Sequence, residues 1–564
     1  MKFEEYTYQR PNLEEVTKKY KTALERFENA ETVDEQSQAM NEINKIRNDL
    51  GTMFNLCQIR HTIDTNDEFY KTEQDYMDEI APEVEGLNTK YYQALVQSKF
   101  RNTLEEKWGR QLFALAESQL NTFKPSIIPL LQKENRLSTE YTKLVASAKI
   151  QFQGEERTLA QLDPFTQSID RNIRKQASEA KFAFFAEHED EFDRIYDELV
   201  KVRTEIAKEL GYKNFVELGY YRMMRTDYNA EMVAKFRDQV KDFIVPIATK
   251  LKKRQEERIG VDQLKYYDEN FEFQTGNPLP KGSPEWIIEN GQKMYEELST
   301  ETGEFFRFMR EKNLMDLVAK KGKAGGGYCT YIEDYKSPFI FSNFNGTSGD
   351  IDVLTHEAGH AFQVYSSRSF EIPEYYWPTF ESCEIHSMSM EFFTWPWMEL
   401  FFKEDTDKYK FAHLSGALLF LPYGVSVDEF QHWVYANPEA SPKERKLKWR
   451  EIEKKYLPHK DYDGNEYLEN GGFWQRQGHI YNSPFYYIDY TLAQICAFQF
   501  WKRSRENHEE AWRDYVKLCN LGGSMSFVKL VEAANLISPF EGGCVESVVG
   551  VIENWLNSVD DKNL

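Results

Sequence analysis

The sequence predicts a mainly α protein with one small β-sheet. Apolar residues recur every three or four positions through most of the 564-residue chain, which is typical of amphipathic helices. One stretch, residues 316–346, is instead rich in aromatic and β-branched residues bounded by Gly, Pro and Asn, which is typical of short strands. Aromatic residues make up 15% of the chain, enough to fill a sizeable core, so a disordered chain is excluded.

The first helices are indicated by their spacing and by their ends. Residues 11–30 carry one apolar stripe, and Pro11 suits the first turn of a helix. Residues 192–206 carry a second apolar stripe, and Gly211 is expected to end the helix that carries it. Similar patterns occupy residues 36–60, 84–122, 136–148, 228–259 and 284–313.

Two polar stretches contain Gly and Pro, near 151–168 and 260–283, and they are candidate domain boundaries or insertions. We therefore divide the chain into an N-terminal helical region, residues 1–160, and a second region, residues 161–564. Within the second region two strands, Tyr328–Ile332 and Phe339–Phe344, are expected to form the small sheet near 328–345. Helical patterns return near 350–365 and continue through the rest of the chain.

The loop before these strands is rich in glycine and ends with Gly325–Gly327. It lacks the GxxxxGK[S/T] pattern of a phosphate-binding loop. Two interpretations remain open, a plain connection and a flap over a site.

The charge balance excludes several classes of partner. The chain has 70 Lys and Arg against 93 Asp and Glu, a net charge of −23, which repels phosphate backbones and anionic membrane surfaces. No apolar run approaches the ~18–20 residues that span a bilayer, and the first residues lack the pattern of a secretory signal. The six cysteines are scattered without a CxxC pair. We expect a cytoplasmic protein that binds neither nucleic acid nor membranes.

The strongest chemical signal is His356-Glu357-x-x-His360. On a helix, residues four apart share a face, so His356 and His360 can both turn a ring nitrogen to one metal ion. Glu357 can then reach a water molecule held beside that metal. The pattern would arise in only about 2% of shuffled versions of this chain, so a pair of histidines without a metal is disfavoured.

A catalytic zinc takes three protein ligands and leaves one position to water. The continuation H-x-x-G-x-x-H fails, because Gln363 and Ser366 occupy the Gly and His positions. The next helical segment, residues 380–391, offers three carboxylates and one histidine. These are Glu381, Glu384, Glu391 and His386.

With these motifs the sequence resembles the thimet oligopeptidase/oligoendopeptidase F family of zinc metallopeptidases, and most closely its bacterial Pz-peptidase branch. The resemblance covers roughly residues 165–550 and includes the stretches 207–218, 222–228, 327–330 and 338–347. It implies that Glu384 is the third ligand, with Ser387 and Glu391 in register, and that each chain holds one Zn²⁺. It also implies a large helical, bowl-like or two-lobed body with a deep channel, in which N-terminal helices form part of one wall.

The spacing agrees with this choice of ligand. Glu384, Ser387 and Glu391 line one helix face, so Glu391 could accept the outer N–H of a ligating histidine. Asp352, four residues before His356, is an alternative partner for that N–H, and Glu381 is an alternative ligand.

A second group of residues lies between His479 and Tyr490. Tyr486 and Tyr490 are four residues apart on one predicted helix face, so both hydroxyls can point into one cleft and stabilise a developing oxyanion. The resemblance places the substrate-contacting histidine at His479 and the tyrosines at Tyr486 or Tyr487 and Tyr490. Ser483-Pro484 departs from the family pattern, which leaves the choice between Tyr486 and Tyr487 open.

Strand 339–345 is expected to be an edge strand near the metal helix, and a strand of a core hairpin is the alternative. An extended peptide could then pair with its backbone, with contacts at Phe341, Ser342 and Asn343, and Tyr487 is a further candidate contact.

Together these residues predict a zinc-dependent endo-oligopeptidase that hydrolyses short unstructured peptides. A dipeptidyl carboxypeptidase on the same helical scaffold is the alternative, and it would need a fixed cation to bind a C-terminal carboxylate. A non-catalytic zinc or peptide-binding protein is disfavoured, since a closed structural site has no need of Glu357.

Overall fold

The computed structural model describes residues 1–320 and 322–564; Lys321, in the glycine-rich loop, lies outside the described residues. Helices make up most of both predicted regions. The helices that precede the metal-binding motif are α1 (Leu13–Asn29), α2 (Val33–Ile63), α3 (Glu68–Val96), α4 (Arg101–Trp108), α5 (Arg110–Leu120), α6 (Ile128–Ala146), α7 (Asp163–Thr166), α8 (Arg171–Glu187), α9 (Glu189–Glu209), α10 (Phe215–Arg222), α11 (Ala230–Gln239), α12 (Val245–Ile259), α13 (Pro284–Leu298) and α14 (Thr300–Glu311). The helices from the motif onward are α15 (Gly349–Ser367), α16 (Phe380–Phe393), α17 (Glu399–Phe402), α18 (Thr406–Ala436), α19 (Pro442–Tyr456), α20 (Glu466–Glu469), α21 (Gly478–Asn482), α22 (Tyr487–Glu506), α23 (His508–Leu521), α24 (Phe527–Ala533) and α25 (Cys544–Ser558).

Local sequence accounts for many helix ends. Asn12 accepts a hydrogen bond from the backbone N–H of Glu15 at the start of α1, and Thr32 forms a capping box at the start of α2. The stop predicted after residue 206 is confirmed, because α9 ends at Glu209 and Gly211 has a φ of +92°.

The structure contains two small sheets in its described residues. Strands β1 (Ile150–Phe152) and β2 (Glu155–Arg157) form an antiparallel hairpin that the sequence did not reveal, since three-residue strands carry too little alternation to detect. The second sheet holds β3 (Met315–Val318), β4 (Tyr328–Ile332) and β5 (Ser337–Phe344) in the order β3-β5-β4. β5 is parallel to β3 and antiparallel to β4.

The expectation that strand 339–345 is an edge strand is therefore wrong. β5 pairs on both sides and has no free edge for an added peptide. The error arose because β3 was not recognised as a strand, and its four residues, Met-Asp-Leu-Val, carry little strand signal. The edge on the side of the metal helix belongs to β4.

The two largest apolar clusters among the described residues hold most of the helices together. One lies among α1, α2, α3 and α5 and also takes in Ile372 and Tyr375 from the segment between α15 and α16. The main core runs through the rest of the chain and includes α6, which packs against α9. The boundary near residue 160 stays a prediction.

No helix among the described residues combines the length and the apolar character that a membrane span requires.

Candidate active site

The turn from β5 into α15 positions the first half of the site. The carboxylate of Asp350 accepts hydrogen bonds from the backbone N–H groups of Asn345 (2.9 Å) and Gly346 (2.8 Å), which fixes the start of the helix. Gly359 lies about two and a half turns further along α15, between the two motif histidines. A Cβ at this position would lie 2.7 Å from the carbonyl oxygen of His386, so only glycine lets α15 and α16 approach this closely.

This close approach brings three ligand atoms together. The Nε2 atoms of His356 and His360 lie 3.3 Å and 3.6 Å from Oε2 of Glu384. A tetrahedral zinc with bonds of about 2.0–2.1 Å separates its ligand atoms by roughly 3.4 Å, so the spacing of these side chains fits a zinc ion. α15 supplies the two histidines and α16 supplies Glu384. All three ligand atoms lie within 4.8 Å of one another.

Electrostatics keep Glu384 in its ligating form. Burial alone would raise its pKa, but His360 and His356 together hold the pKa of Glu384 well below its usual range. Ser387 adds a hydrogen bond from its hydroxyl to Oε2 of Glu384, at 2.9 Å. The carboxyl group is thus an ionised, oriented acceptor.

Glu391 contacts the outer face of the metal site. Its Oε1 lies 2.7 Å from Nδ1 of His356, and its Oε2 lies 2.7 Å from Nε2 of His413. Burial opposes ionisation of Glu391, but its hydrogen bonds with His356 and His413 lower its pKa to about 2.

The tautomers of both histidines follow from this chain of contacts. Trp395 can only donate, and its Nε1–H lies 3.2 Å from Nδ1 of His413. His413 therefore carries its proton on Nε2 and donates it to Glu391. The ionised Glu391 also accepts the Nδ1–H of His356, so Nε2 is the nitrogen that His356 turns toward Glu384, and it offers its lone pair to a metal when the ring is neutral.

Asp352 occupies a different environment. Its Oδ1 accepts a hydrogen bond from the hydroxyl of Tyr409 at 2.6 Å, and burial raises its pKa to about 6. Of the two carboxylates considered for the outer N–H of His356, Glu391 is therefore the one in contact. Sequence reasoning missed His413 and Trp395, and the available signal was a histidine in an apolar stretch of α18.

The other two candidates on α16 point away from the ligand group. Glu381 is 1% exposed and lies beside the buried ion pair of Arg225 and Asp489. His386 is fully buried and its Nδ1 lies 3.5 Å from the sulfur of Cys519.

Glu357 lies at the wall of the cavity beside the ligand atoms. Its side chain is largely buried, and this burial raises the pKa of Glu357 above that of an ordinary glutamate. A carboxyl group with a raised pKa is better suited to accept a proton from water and release it later.

The tyrosines lie opposite these residues. The hydroxyl of Tyr486 donates to Oε1 of Glu384 at 3.3 Å, and the rings of Tyr486 and Tyr490 are 5.0 Å apart. His479 lies 5.9 Å from each of these rings and 5.0 Å from the ring of Tyr487, measured between centroids. The structure thus places Tyr486 next to the ligand group, and Tyr487 against the rings of His479 and Tyr490.

Backbone strain sets this arrangement. Phe485, directly before Tyr486, is buried and has a φ of +67°, a conformation that bulky residues rarely adopt. Its N–H donates to the side chain of Gln431 at 2.9 Å, and its carbonyl oxygen accepts from Arg225. Two buried side chains therefore hold the residue that aims Tyr486.

Two cavities meet at the site, and His356 and Tyr490 line both of them. The larger, about 660 Å³, also contains Glu357, His360 and Glu384. Its far wall comes from the N-terminal helices α3 and α5, as expected for one side of a channel. These helices contribute Glu85, Asn88, Tyr92, Gln111, Leu115 and Gln119.

The strand that reaches the larger cavity is β4, through Tyr328 and Cys329, and Gly327 just before the strand also lines the cavity. Phe341 and Ser342 are buried in the sheet, and the ring of Phe341 stacks on Tyr328 at 4.8 Å. Asn343 donates to the carbonyl oxygens of Ala324 (2.9 Å) and Gly326 (2.8 Å) and so holds the glycine-rich loop. None of these three β5 residues lines either cavity.

Comparison with known proteins agrees with the geometry. Residues 3–123 match the Peptidase M3 N-terminal domain, and residues 165–548 match Peptidase family M3. A solved structure of Pz peptidase A with an inhibitor is 71% identical, covers 100% of both chains and has a TM-score of 0.95.

Two bacterial relatives are more distant. An oligoendopeptidase F homolog of Borreliella burgdorferi is 24% identical over 379 residues, which span 64% of this chain and 61% of that protein. Oligopeptidase PepF of Bacillus subtilis is 20% identical over 95% of this chain and 81% of its own length.

Proposed function

The chain belongs to peptidase family M3 and is a metallopeptidase, and from this premise we propose that it is a zinc-dependent endo-oligopeptidase of the cytoplasm that cleaves short, unstructured peptides. The observation that carries the proposal is the convergence of His356, His360 and Glu384, with Glu357 beside them, on one wall of a cavity. We propose that these three residues hold one Zn²⁺ per chain.

Zinc at these ligands would supply a Lewis acid that polarises the scissile carbonyl and acidifies a water molecule. The side chains of this chain account for the proton transfers. Glu357 accepts the proton of the attacking water and passes it to the leaving amine as the C–N bond breaks. The hydroxyls of Tyr486 and Tyr490 donate to the carbonyl oxygen as it gains negative charge. The ring of His479 lies 5.9 Å from each of the two tyrosine rings, measured between centroids.

The lining of the cavities favours internal cleavage. A dipeptidyl carboxypeptidase must bind a terminal carboxylate, and among the described residues that line the two cavities there is no Lys or Arg. Their charged side chains are instead the carboxylates of Glu85, Asp352, Glu357, Glu374, Glu384 and Glu391. A free C-terminus would be repelled, whereas an internal segment carries no such charge.

Backbone pairing explains why the substrate should be unstructured. The outer edge of β4 is partly covered, because Asn55 donates to the carbonyl oxygen of Tyr331 at 2.8 Å. The first two residues of this strand, Tyr328 and Cys329, line the cavity. An extended peptide can pair there, but a folded protein already has its backbone groups paired.

The test is digestion of a blocked peptide of about ten residues by the purified protein, with mass spectrometry of the products. We expect internal cuts that a chelator abolishes and added zinc restores. Successive release of C-terminal dipeptides would instead support the carboxypeptidase, and cleavage that persists without metal would exclude the proposed chemistry.

A further inference from the structure

Gln477 connects two polar side chains beside the site. Its Oε1 accepts a hydrogen bond from the hydroxyl of Tyr423 at 2.8 Å, and its Nε2 lies 2.8 Å from Nδ1 of His479. Its backbone is fixed as well, because its N–H donates to the carbonyl oxygen of Trp474 at 2.9 Å and its own carbonyl oxygen accepts from the N–H of Ile480 at 3.1 Å. The amide of Gln477 is therefore held between α18 and the ring of His479.

The orientation of this amide follows from the surroundings of Tyr423. Burial raises the pKa of Tyr423, and the positive charge of Arg476 opposes this rise. The guanidinium of Arg476 lies 5.5 Å from the centroid of the Tyr423 ring. A cation at this place attracts the lone pairs of the hydroxyl oxygen, so the O–H points to Oε1 of Gln477. A reversed amide would instead direct a second donor at the same oxygen.

This orientation decides which nitrogen of His479 carries the proton. An amide nitrogen only donates, so Nδ1 of His479 is the acceptor and has no proton in the neutral ring. The proton is then on Nε2. This nitrogen has no hydrogen-bond partner among the described residues and is not enclosed by them, and His479 lines the smaller cavity, of about 510 Å³. The Nε2–H is thus a donor that is open to the cavity.

The side chains that face the ring of His479 keep it neutral. Burial lowers the pKa of His479, and no charged side chain among the described residues offsets this shift. The titratable groups closest to the ring are the phenols of Tyr486, Tyr487 and Tyr490 on α22. They are uncharged at physiological pH, because burial raises the pKa of each of them.

The charged groups of the neighbouring elements have other partners. Arg476 lies against Tyr423. Asp352 and Glu391 line the same cavity from α15 and α16. Asp352 accepts from Tyr409, and Glu391 lies between the histidines of α15 and α18. The tautomer of His479 is therefore determined by the amide of Gln477.

We infer that Gln477 is a positioning residue, which fixes His479 in the tautomer with its proton on Nε2, so that the neutral ring donates this N–H to the bound peptide. Tyr423 contributes by holding the amide in the required orientation. The inference rests on the proposed function, and it adds the residue that prepares His479 for its role.

Gln477→Glu tests this role with almost no change of shape. The new carboxylate accepts the Nδ1–H of His479, so it raises the pKa of the ring and reverses the tautomer of the neutral form. At pH 6 the doubly protonated ring still donates from Nε2, but at pH 9 the neutral ring has lost this donor. The kcat/KM of Gln477→Glu for a blocked peptide should therefore be within about 3-fold of wild type at pH 6 and at least ~10-fold below it at pH 9.

Two further variants serve as controls. Asn482→Asp adds the same charge to α21, but Asn482 is exposed and its side chain lies 3.4 Å from Thr142 of α6. Its kcat/KM relative to wild type should not depend on pH. In a His479→Phe background, Gln477→Glu should cause no loss that is specific to alkaline pH, because the ring that changes its tautomer is absent.

NMR of protein with ¹⁵N-labelled histidine rings tests the tautomer without a substrate. The signal that is missing from His479→Phe identifies His479. We expect a neutral ring with its proton on Nε2 in the wild type, and with its proton on Nδ1 in Gln477→Glu at pH 9.

The outcomes separate the two proposals. If the wild type cleaves peptides in a zinc-dependent way but Gln477→Glu keeps a constant ratio to it from pH 6 to pH 9, the positioning role is overturned and the proposed function stands. If the wild type cleaves no peptide, the proposed function fails, and the NMR spectrum still decides the tautomer. A wild-type ring with its proton on Nδ1 overturns the inference whatever the activity.

Discussion

Glu357 and His356 are adjacent in sequence but differ in role, and substitution separates these roles. Glu357→Gln keeps a side chain of the same shape and leaves the three ligands intact, so zinc should be retained. The rate of peptide cleavage should fall at least ~10²-fold, because a neutral amide cannot take up the proton of water. Steady-state kinetics and metal analysis measure both quantities. His356→Ala is the control and should lose zinc as well as activity.

The contact between Glu391 and His356 predicts a difference between two carboxylates. Glu391→Ala removes the acceptor that orients His356, and zinc affinity should fall about 10–100-fold. Asp352→Asn should change zinc affinity far less, since Asp352 is hydrogen-bonded to Tyr409. Competition with a chelating dye measures both constants. Equal losses in the two variants would mean that Glu391 has no special role.

Residue patterns predicted the ligand triad, because H-E-x-x-H fixes geometry within one helix turn. They did not separate Glu391 from Asp352, since the answer depends on how α16 crosses α15. Gly359 allows that close crossing, because a Cβ there would clash with the backbone of His386. This contact is known only from the three-dimensional structure. His413 was missed for the same reason, because its partner is 22 residues away in sequence.

At the scale of elements, the loop between α21 and α22 links Gln431 to Tyr486 through the strained Phe485. Gln431→Met removes the acceptor for the Phe485 N–H, so Tyr486 should lose its alignment. We expect kcat to fall about 10-fold with little change in KM, as for a contact made only in the transition state.

A double-mutant cycle tests this coupling. Tyr486→Phe should lower kcat in the wild type but have little further effect in the Gln431→Met background, because the hydroxyl is already misplaced. Fully additive losses would show that Gln431 acts only on stability.

The turn between β4 and β5 predicts a pH effect on stability. Glu333 packs against α2, where Asn55 donates to it, and burial raises its pKa to about 7. Because the folded value lies above the unfolded one of 4.5, ionisation opposes folding, and stability is lost as pH rises from about 4.5 to about 7. Glu333→Gln should therefore gain about 1–3 kcal/mol relative to wild type at pH 8 and nothing at pH 4.

Denaturant unfolding at the two pH values measures this difference. Glu106→Gln, at an exposed position of α4, is the control and should show no comparable change.

Sequence predicted most helices but only part of the sheet. The helical stripes are long enough to be recognised within one segment. β5 was recognised as a strand but its central position was not, because it depends on pairing with β3, more than 20 residues upstream. The choice between Tyr486 and Tyr487 stayed open for a related reason, since the positive φ of Phe485 affects which side chain faces the ligand group.

At the scale of the whole molecule, the net charge of −23 and the acidic lining of the cavities should select among peptides. Peptides with Lys flanking the cleaved segment should have a higher kcat/KM than those with Glu at the same positions. The ratio should shrink as salt rises from 20 mM to 500 mM, because screening weakens long-range attraction. Peptides with Gln at these positions are the control and should respond little to salt. A ratio that is independent of salt would point to a local contact instead.

The N-terminal segment is attached to the sheet of the second region. The ring of Phe3 packs on Phe339 at 4.5 Å, Tyr6 stacks on Tyr335 at 3.7 Å, and the Phe3 N–H donates to the carbonyl oxygen of Lys312 at 2.8 Å. On a ribosome that adds ~5–20 residues per second, these partners emerge tens of seconds after the segment itself. Residues 3–6 are thus synthesised long before the residues on which they pack, and until those emerge their aromatic rings are exposed to chaperones.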